Sequence, residues 1–330
     1  MQAMVLEGPG LPLVRRELPI PTPARHQVLI AVSACGVCRT DLHLADGELV
    51  PPKFPIVPGH EIVGRVSAVG ADVTSFTIGE RVGVPWLGET CGHCFYCARR
   101  NENLCTDAIF TGFSRDGGYA QYACADARFV FRLPARYGDV AAAPLLCAGL
   151  IGYRAYAMAG DAEVIGIYGF GAAAHLIAQV ACAEGRKVMA FTRPGDAVAQ
   201  RMALAVGAHW AGGSDQHPPM PIDAALLFAP VGALVPEALS HSRPGAVIVC
   251  AGIHMSDIPS FPYRLLWGER VVRSVANLTR ADGEAFFALA ERIALEVRTD
   301  EYPLHEANTA LDALRAGRVQ GAAVLTTPRE

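Results

Sequence analysis

The chain has 330 residues, 52% hydrophobic and 18% charged, with a formal net charge of −4. That composition supplies apolar material for more than one buried core and excludes an intrinsically disordered chain. Without a basic excess to neutralise a phosphate backbone, nucleic acid is excluded as the main partner.

In chain order, Met1–Leu6 lacks a basic stretch followed by a long apolar run, and reads as a first strand rather than a secretory leader. Val-rich runs at Gln27–Val32 and Ile62–Val69, punctuated by Gly and Pro, predict a compact all-β, barrel-like domain over residues 1 to about 140. The most apolar segment, 139–160, is interrupted by Pro144, Gly149, Gly152 and Arg154, so no membrane span is expected. The expected compartment is the cytoplasm, where the ten cysteines would stay reduced and their clustering points to metal rather than disulfides.

From about residue 141 the texture changes to alternating strand and helix. An Ala-rich helical stretch leads to a strand at Val164–Tyr168, a Gly-rich turn, a helix at 172–184 and a strand at Lys187–Phe191. Further strands are predicted at Ala224–Phe228 and Ala246–Cys250. This pace implies a parallel, doubly wound α/β sheet. Helices are expected at 281–295 and 305–316, and a last strand at Ala322–Thr326.

Cys91, Cys94, Cys97 and Cys105 are separated by two, two and seven residues. Four thiolates this close can close a tetrahedron around Zn²⁺ and leave no exchangeable position, which makes a structural site. His93 lies inside that loop and reads as solvent-facing. Gly169-Phe170-Gly171-Ala172 follows a predicted strand and opens a helix, the setting of a dinucleotide fingerprint. Gly169 permits the turn, and Gly171 with Ala172 brings backbone N–H groups to a pyrophosphate. At the end of the next strand, NAD-binding chains usually place an acid. Here Thr192 and Arg193 stand there, and a guanidinium suits the 2′-phosphate of NADP(H).

Three further motifs frame these: Cys35-Gly36-Val37-Cys38-Arg39-Thr40-Asp41-Leu42-His43, then Pro58-Gly59-His60-Glu61, then Leu146-Cys147-Ala148-Gly149. In this order, with the four-cysteine loop between the second and third, the series resembles the zinc-dependent alcohol dehydrogenases of the medium-chain dehydrogenase/reductase superfamily over essentially the whole chain. The resemblance implies an α/β protein: a GroES-like β-barrel catalytic domain (1–146 and 279–330) and a Rossmann coenzyme domain (147–278). It implies a second, catalytic zinc on Cys38, His60 and Cys147, with Glu61 able to replace a water ligand and Asp41 holding His60 in the right tautomer. Thr40 and His43 fall where the family relays the substrate proton to water. Arg39 is expected to supply a charge to the pyrophosphate. Cys35, Cys124, Cys182 and Cys250 match no ligand position and read as small core residues.

Trp86 is expected to form an aromatic wall beside the catalytic zinc. Leu49 stands where ethanol-preferring relatives often carry a second tryptophan, which leaves room for larger aldehydes. The expected activity is hydride transfer between a primary alcohol or aldehyde and NAD(P)(H), NADP(H) being favoured, by a homodimer or homotetramer. A polyol or secondary-alcohol dehydrogenase is the nearest alternative, weakened because polyol relatives usually carry Glu where Cys147 stands. A non-catalytic NADP-binding relative is another, though it would not need the ligands retained here.

Overall fold

A computed structural model describes residues 1–327. The chain forms two compact units: Met1–Cys147, Asn277–Arg292 and the chain from Val297 make the first; Ala148–Ala276 with Ile293–Glu296 make the second.

In the first unit, the strand order is Thr299–Pro303, Ala322–Thr326, Gln27–Val37, Ile62–Val69, Arg81–Val84, Phe131–Arg132, and Tyr122–Asp126 pairs on the edge of Gln27–Val37. Only the first pair is parallel. The 11-residue strand Gln27–Val37 organises the sheet. Val28, Ile30, Val32 and Ala34 repeat at the two-residue period of a strand and are all buried. Cys35 pairs opposite Ile62 in the antiparallel ladder. That register brings the residues after one strand, Cys38 onward, to the same end as those before the other, His60 and Glu61.

The second unit holds six parallel strands in the order Trp210–Gly213, Lys187–Thr192, Val164–Tyr168, Ile222–Leu227, Ser242–Cys250, Val271–Ser274. In sequence order this is 3-2-1-4-5-6, the doubly wound dinucleotide-binding arrangement. Every residue of Val164–Tyr168 is buried, as expected of a central strand covered on both faces. Two strands escaped the sequence reading: Trp210–Gly213 is four residues long and half glycine by its end, and Val271–Ser274 is a largely exposed edge. The late helices also differ. Arg280–Arg292 stops three residues short of the expected 295, because Ile293–Glu296 join the second unit. There Gln179 Nε2 and the His175 ring reach the Glu296 carbonyl at 3.0 and 2.8 Å. The helix expected at 305–316 divides into a 3-10 turn, Leu304–Glu306, and the α-helix Ala307–Arg315. Of the four non-ligand cysteines, Cys35 and Cys250 are buried, whereas Cys124 and Cys182 are half-buried. No single helix among the described residues is long and apolar enough to cross a membrane.

The core of the second unit contains a polar member. Tyr168 and Phe191 stack with ring centroids 4.1 Å apart, Phe191 stacks on His241 at 5.2 Å, and the Tyr168 hydroxyl is hydrogen-bonded to His241 Nδ1 at 2.9 Å. Burial, reinforced by His217, lowers the His241 pKa. A folded-state pKa below the unfolded value means the neutral imidazole is favoured by folding. The contribution is complete above the unfolded pKa of about 6.5 and is lost as pH falls through the lower folded value. Urea unfolding of the wild type is therefore expected to show falling stability between pH 7 and pH 5 that is reduced in His241→Phe. Identical pH slopes for the two proteins would contradict it.

Candidate metal centre

Cys38 follows the strand Gln27–Val37 and caps the helix Arg39–Ala45. Its sulfur accepts from the Thr40 amide at 3.3 Å, and Asp41 Oδ2 accepts from the Cys38 amide at 2.9 Å, a reciprocal capping box. The cap fixes the thiol's direction and places Thr40 and Asp41 beside it. His60 enters from before the neighbouring strand, its Nε2 3.2 Å from Cys38 Sγ. Cys147 Sγ lies 3.9 Å from Cys38 Sγ. Glu61 is buried and belongs to the same cluster. Gly36 makes room for it, because a β-carbon there would collide with the Glu61 carboxylate.

The electrostatics follow from burying so many donors together. Hydrogen bonding from Cys147 lowers the Cys38 thiol well below its ordinary pKa, with His60 helping against the cost of burial. The same bond and burial push the Cys147 thiol up. Burial alone would depress His60, but the charges of Cys38 and Asp41 outweigh it and raise the imidazole. Burial and the Cys38 charge raise Glu61. Two thiols, an imidazole and a carboxylate with donor atoms within 4.8 Å of one another are matched to a soft dication. A tetrahedral site with Zn–S of ~2.3 Å has S···S edges of roughly 3.8 Å, close to the Cys38–Cys147 separation. His60 Nδ1 is buried without a hydrogen-bond partner, 3.6 Å from Asp41 Oδ1, so a small ring movement would let Asp41 accept from it.

The second cluster joins Cys91, Cys94, Cys97 and Cys105. Cys91 Sγ lies 4.0 Å from Cys97 Sγ and 3.6 Å from Cys105 Sγ, and accepts from the Cys94 amide at 3.4 Å. The backbone amide of Cys97 lowers the Cys94 thiol to about 6, while burial pushes Cys105 up to about 12. His93 is exposed, with Nδ1 2.8 Å from the Cys91 carbonyl. A third group, His26, Glu89 and Asp126, has metal-like spacing. Its carboxylates are already paired with Arg115 and Arg128, so it reads as an ion-pair network.

Beside the first cluster, Trp86 meets His60 edge-on at 5.0 Å, stacks on Phe110 at 5.2 Å and lies 5.7 Å from Phe113. Phe110 and Phe113 carried no signal in the sequence; they read as ordinary apolar residues after the cysteine loop. Thr40 is buried at the cluster, His43 sits one turn along the same helix, and the Leu49 amide donates to the His43 carbonyl at 2.9 Å. Arg39 is exposed at the start of that helix.

In the second unit, Gly169 adopts φ +85°, and a side chain there would run into Ala229. Gly171 is the N-cap of Ala172–Ala183 and supplies no side-chain cap, which leaves the first-turn amides available to an anion. Thr192 differs from expectation. It is buried, its hydroxyl lies 3.0 Å from the Arg193 carbonyl and 3.2 Å from that of Gly212, and it accepts from Gln200 at 3.2 Å. Thr192 closes a central strand that is buried from Val188 onward, so its hydroxyl is engaged inside the unit; Arg193, the next residue, is exposed.

Residues 24–135 match the alcohol dehydrogenase GroES-like domain family. Over 98% of the chain and 97% of the relative, the sequence is 48% identical to a protein of Mycobacterium tuberculosis described as "Probable alcohol dehydrogenase AdhA". The chain belongs to the alcohol dehydrogenase family. It is an oxidoreductase of that class, and an alcohol dehydrogenase of Geobacillus stearothermophilus is 33% identical over 98% of this chain and 99% of its own. Among solved structures of the same fold, a cinnamyl alcohol dehydrogenase of Sorghum bicolor has a TM-score of 0.89 at 26% identity, covering 98% of this chain and 97% of that one. A protein from Sinorhizobium meliloti, described as a zinc-binding dehydrogenase and bound to NADP, has a TM-score of 0.86 at 26% identity, with 98% of both chains covered.

Because His60 and Cys147 are shifted up, protons compete with a metal at the first cluster as pH falls. Zinc affinity of the protein is expected to weaken steadily from pH 8 to pH 6, as measured by competition with a chromophoric chelator. Affinity independent of pH would rule out this donor set.

Proposed function

We propose that the chain is a zinc-dependent, NADP(H)-preferring alcohol dehydrogenase or aldehyde reductase acting on primary alcohols and their aldehydes, with one catalytic and one structural zinc. The observation that carries this reading is the Cys38–His60–Cys147 donor set, its imidazole buried and its thiols half-buried, with Glu61 beside it and Trp86 against its imidazole. The closed four-thiolate loop fits the structural ion. The polyol and non-catalytic alternatives are not favoured, since the full-length relatives cited above are named alcohol dehydrogenases.

Zinc, when bound, supplies a Lewis acid that makes the substrate hydroxyl more acidic. The residues around it then have separate tasks. Cys38, His60 and Cys147 hold the ion, and Asp41 orients His60. Thr40 Oγ1 hydrogen-bonds the substrate oxygen and passes its proton towards His43. Glu61 would stand beside the three ligands as a fourth donor able to hold the ion. Trp86 stacked on Phe110, with Phe113 tilted against both, offers an apolar wall and keeps water from one side of the site. Such a wall, with Leu49 in place of a larger ring, favours aromatic and medium-chain aldehydes. The likeness to a cinnamyl alcohol dehydrogenase supports that class.

For the coenzyme, the amides of the Gly169–Ala172 turn receive the pyrophosphate and Arg193 pairs with the 2′-phosphate; the NADP-bound neighbour supports this preference. A homodimer or homotetramer is our reading of assembly, supported by the edge strand Val271–Ser274 and the exposed Tyr263 and Trp267. A cytoplasmic location accords with two thiol clusters that need reducing conditions.

The test is steady-state oxidation of NADPH and NADH with acetaldehyde, hexanal and benzaldehyde. The larger aldehydes with NADPH are expected to give the highest kcat/KM. A charge-assisted bond to a phosphate contributes roughly 1.5–3 kcal/mol, so Arg193→Ala should weaken NADPH about tenfold to a hundredfold and leave NADH unchanged. A wild type that prefers NADH, with a silent Arg193→Ala, would remove the NADP reading.

A further inference from the structure

His43 has a partner that the proton path above does not use. Its Nδ1 is hydrogen-bonded to the carboxylate of Glu48, five residues on. The turn that carries Glu48 is held from several sides. The Leu49 amide donates to the His43 carbonyl at 2.9 Å, the Asp46 amide to Leu42 at 2.8 Å and the Gly10 amide to Ala45 at 2.7 Å. The Asp46 carboxylate is paired with Arg315, at the end of the helix Ala307–Arg315, at 2.6 Å. The imidazole is mostly enclosed, with 20% of its side chain exposed, while Glu48 stands on the solvent side at 60%.

An isolated ion pair this exposed contributes little to stability. Its chemical consequence is specific, however. A carboxylate can only accept, so the proton shared with it belongs on Nδ1, and Nε2 is left as the basic nitrogen. We propose that Glu48 is a positioning residue for proton transfer, holding His43 in the tautomer whose Nε2 takes the substrate proton and stabilising the imidazolium that results. This rests on the reading of His43 as the outer member of the relay. During alcohol oxidation the hydride passes from the carbinol carbon to the oxidised coenzyme. The hydroxyl proton moves through Thr40 to His43 Nε2, is balanced there by the Glu48 carboxylate, and leaves to water. Reduction of the aldehyde runs the same path backwards.

The experiment uses the zinc-loaded, full-length enzyme and reads the single-turnover rate of alcohol oxidation. The proteins are wild type, His43→Ala, Glu48→Ala, Glu48→Gln and the double variant His43→Ala/Glu48→Ala, each checked for zinc content and Tm. His43→Ala and Glu48→Ala are each expected to lose on the order of tenfold, with alcohol KM and Tm unchanged. The double variant should be no slower than His43→Ala alone, because Glu48 acts only through the imidazole. Glu48→Gln, which keeps an acceptor oxygen for Nδ1–H but not the charge that balances the imidazolium, should recover only part of the rate. If His43→Ala is slow but Glu48→Ala is not, or if the two losses multiply, the role of Glu48 is overturned and the relay stands. If His43→Ala is itself as fast as wild type, the relay fails and Glu48's role fails with it.

Discussion

A buried imidazole and carboxylate share one place with two half-buried thiols, and the rest of the site depends on how their charges are balanced. Within the protein alone the balance is awkward: Cys38 is driven towards the thiolate, while His60, Glu61 and Cys147 are driven to keep their protons. Burying unpaired charge is costly, and a dication turns the same donors from a liability into a bound set. The fold keeps the donors in place by backbone means. The antiparallel register of Gln27–Val37 and Ile62–Val69 delivers two of them, and the capping box at Cys38 aims a third group, Asp41, at the imidazole.

The helix Arg39–Ala45 links these parts. One turn and a half carries the ligand-side cap, Thr40 with its hydroxyl at the cluster, and His43 with its carboxylate partner. A short helix is a stiff mount for such a sequence of groups, since residues three and four apart share a face. The aromatic group Trp86, Phe110 and Phe113 comes from outside that helix and touches the centre through His60. Under the proposed function, one thiol ligand and the proton path share this helix, whereas the aromatic wall comes from other elements and can vary separately.

Some of this was legible in the chain and some was not. The four-cysteine loop is local and its spacing alone states its chemistry; the glycine turn at 169–171 is local too, but takes its meaning from the strand before it and the helix after it. The strands expected at 164–168 and 187–191 were equally plain, being continuous apolar runs of a central parallel sheet. Cys38, His60 and Cys147 lie 22 and 87 residues apart, so only the resemblance to a family brought them together. Phe110, Phe113 and Glu48 were invisible, because an aromatic wall and a side-chain pair depend on folding, not on spacing. Thr192 shows the opposite limit: its position at a strand end was clear, yet the inward turn of its hydroxyl followed from pairing with Gly212 and Gln200.

The division of labour between the two clusters is open to one direct comparison, made by counting zinc and turnover in Cys38→Ser and Cys94→Ser. Cys38→Ser should keep its fold and the structural zinc, and lose aldehyde-dependent NADPH oxidation. Cys94→Ser should lose about one zinc per chain together with thermal stability. A Cys38→Ser protein with full activity would contradict the assignment of the Cys38–His60–Cys147 centre as the place where the chemistry happens.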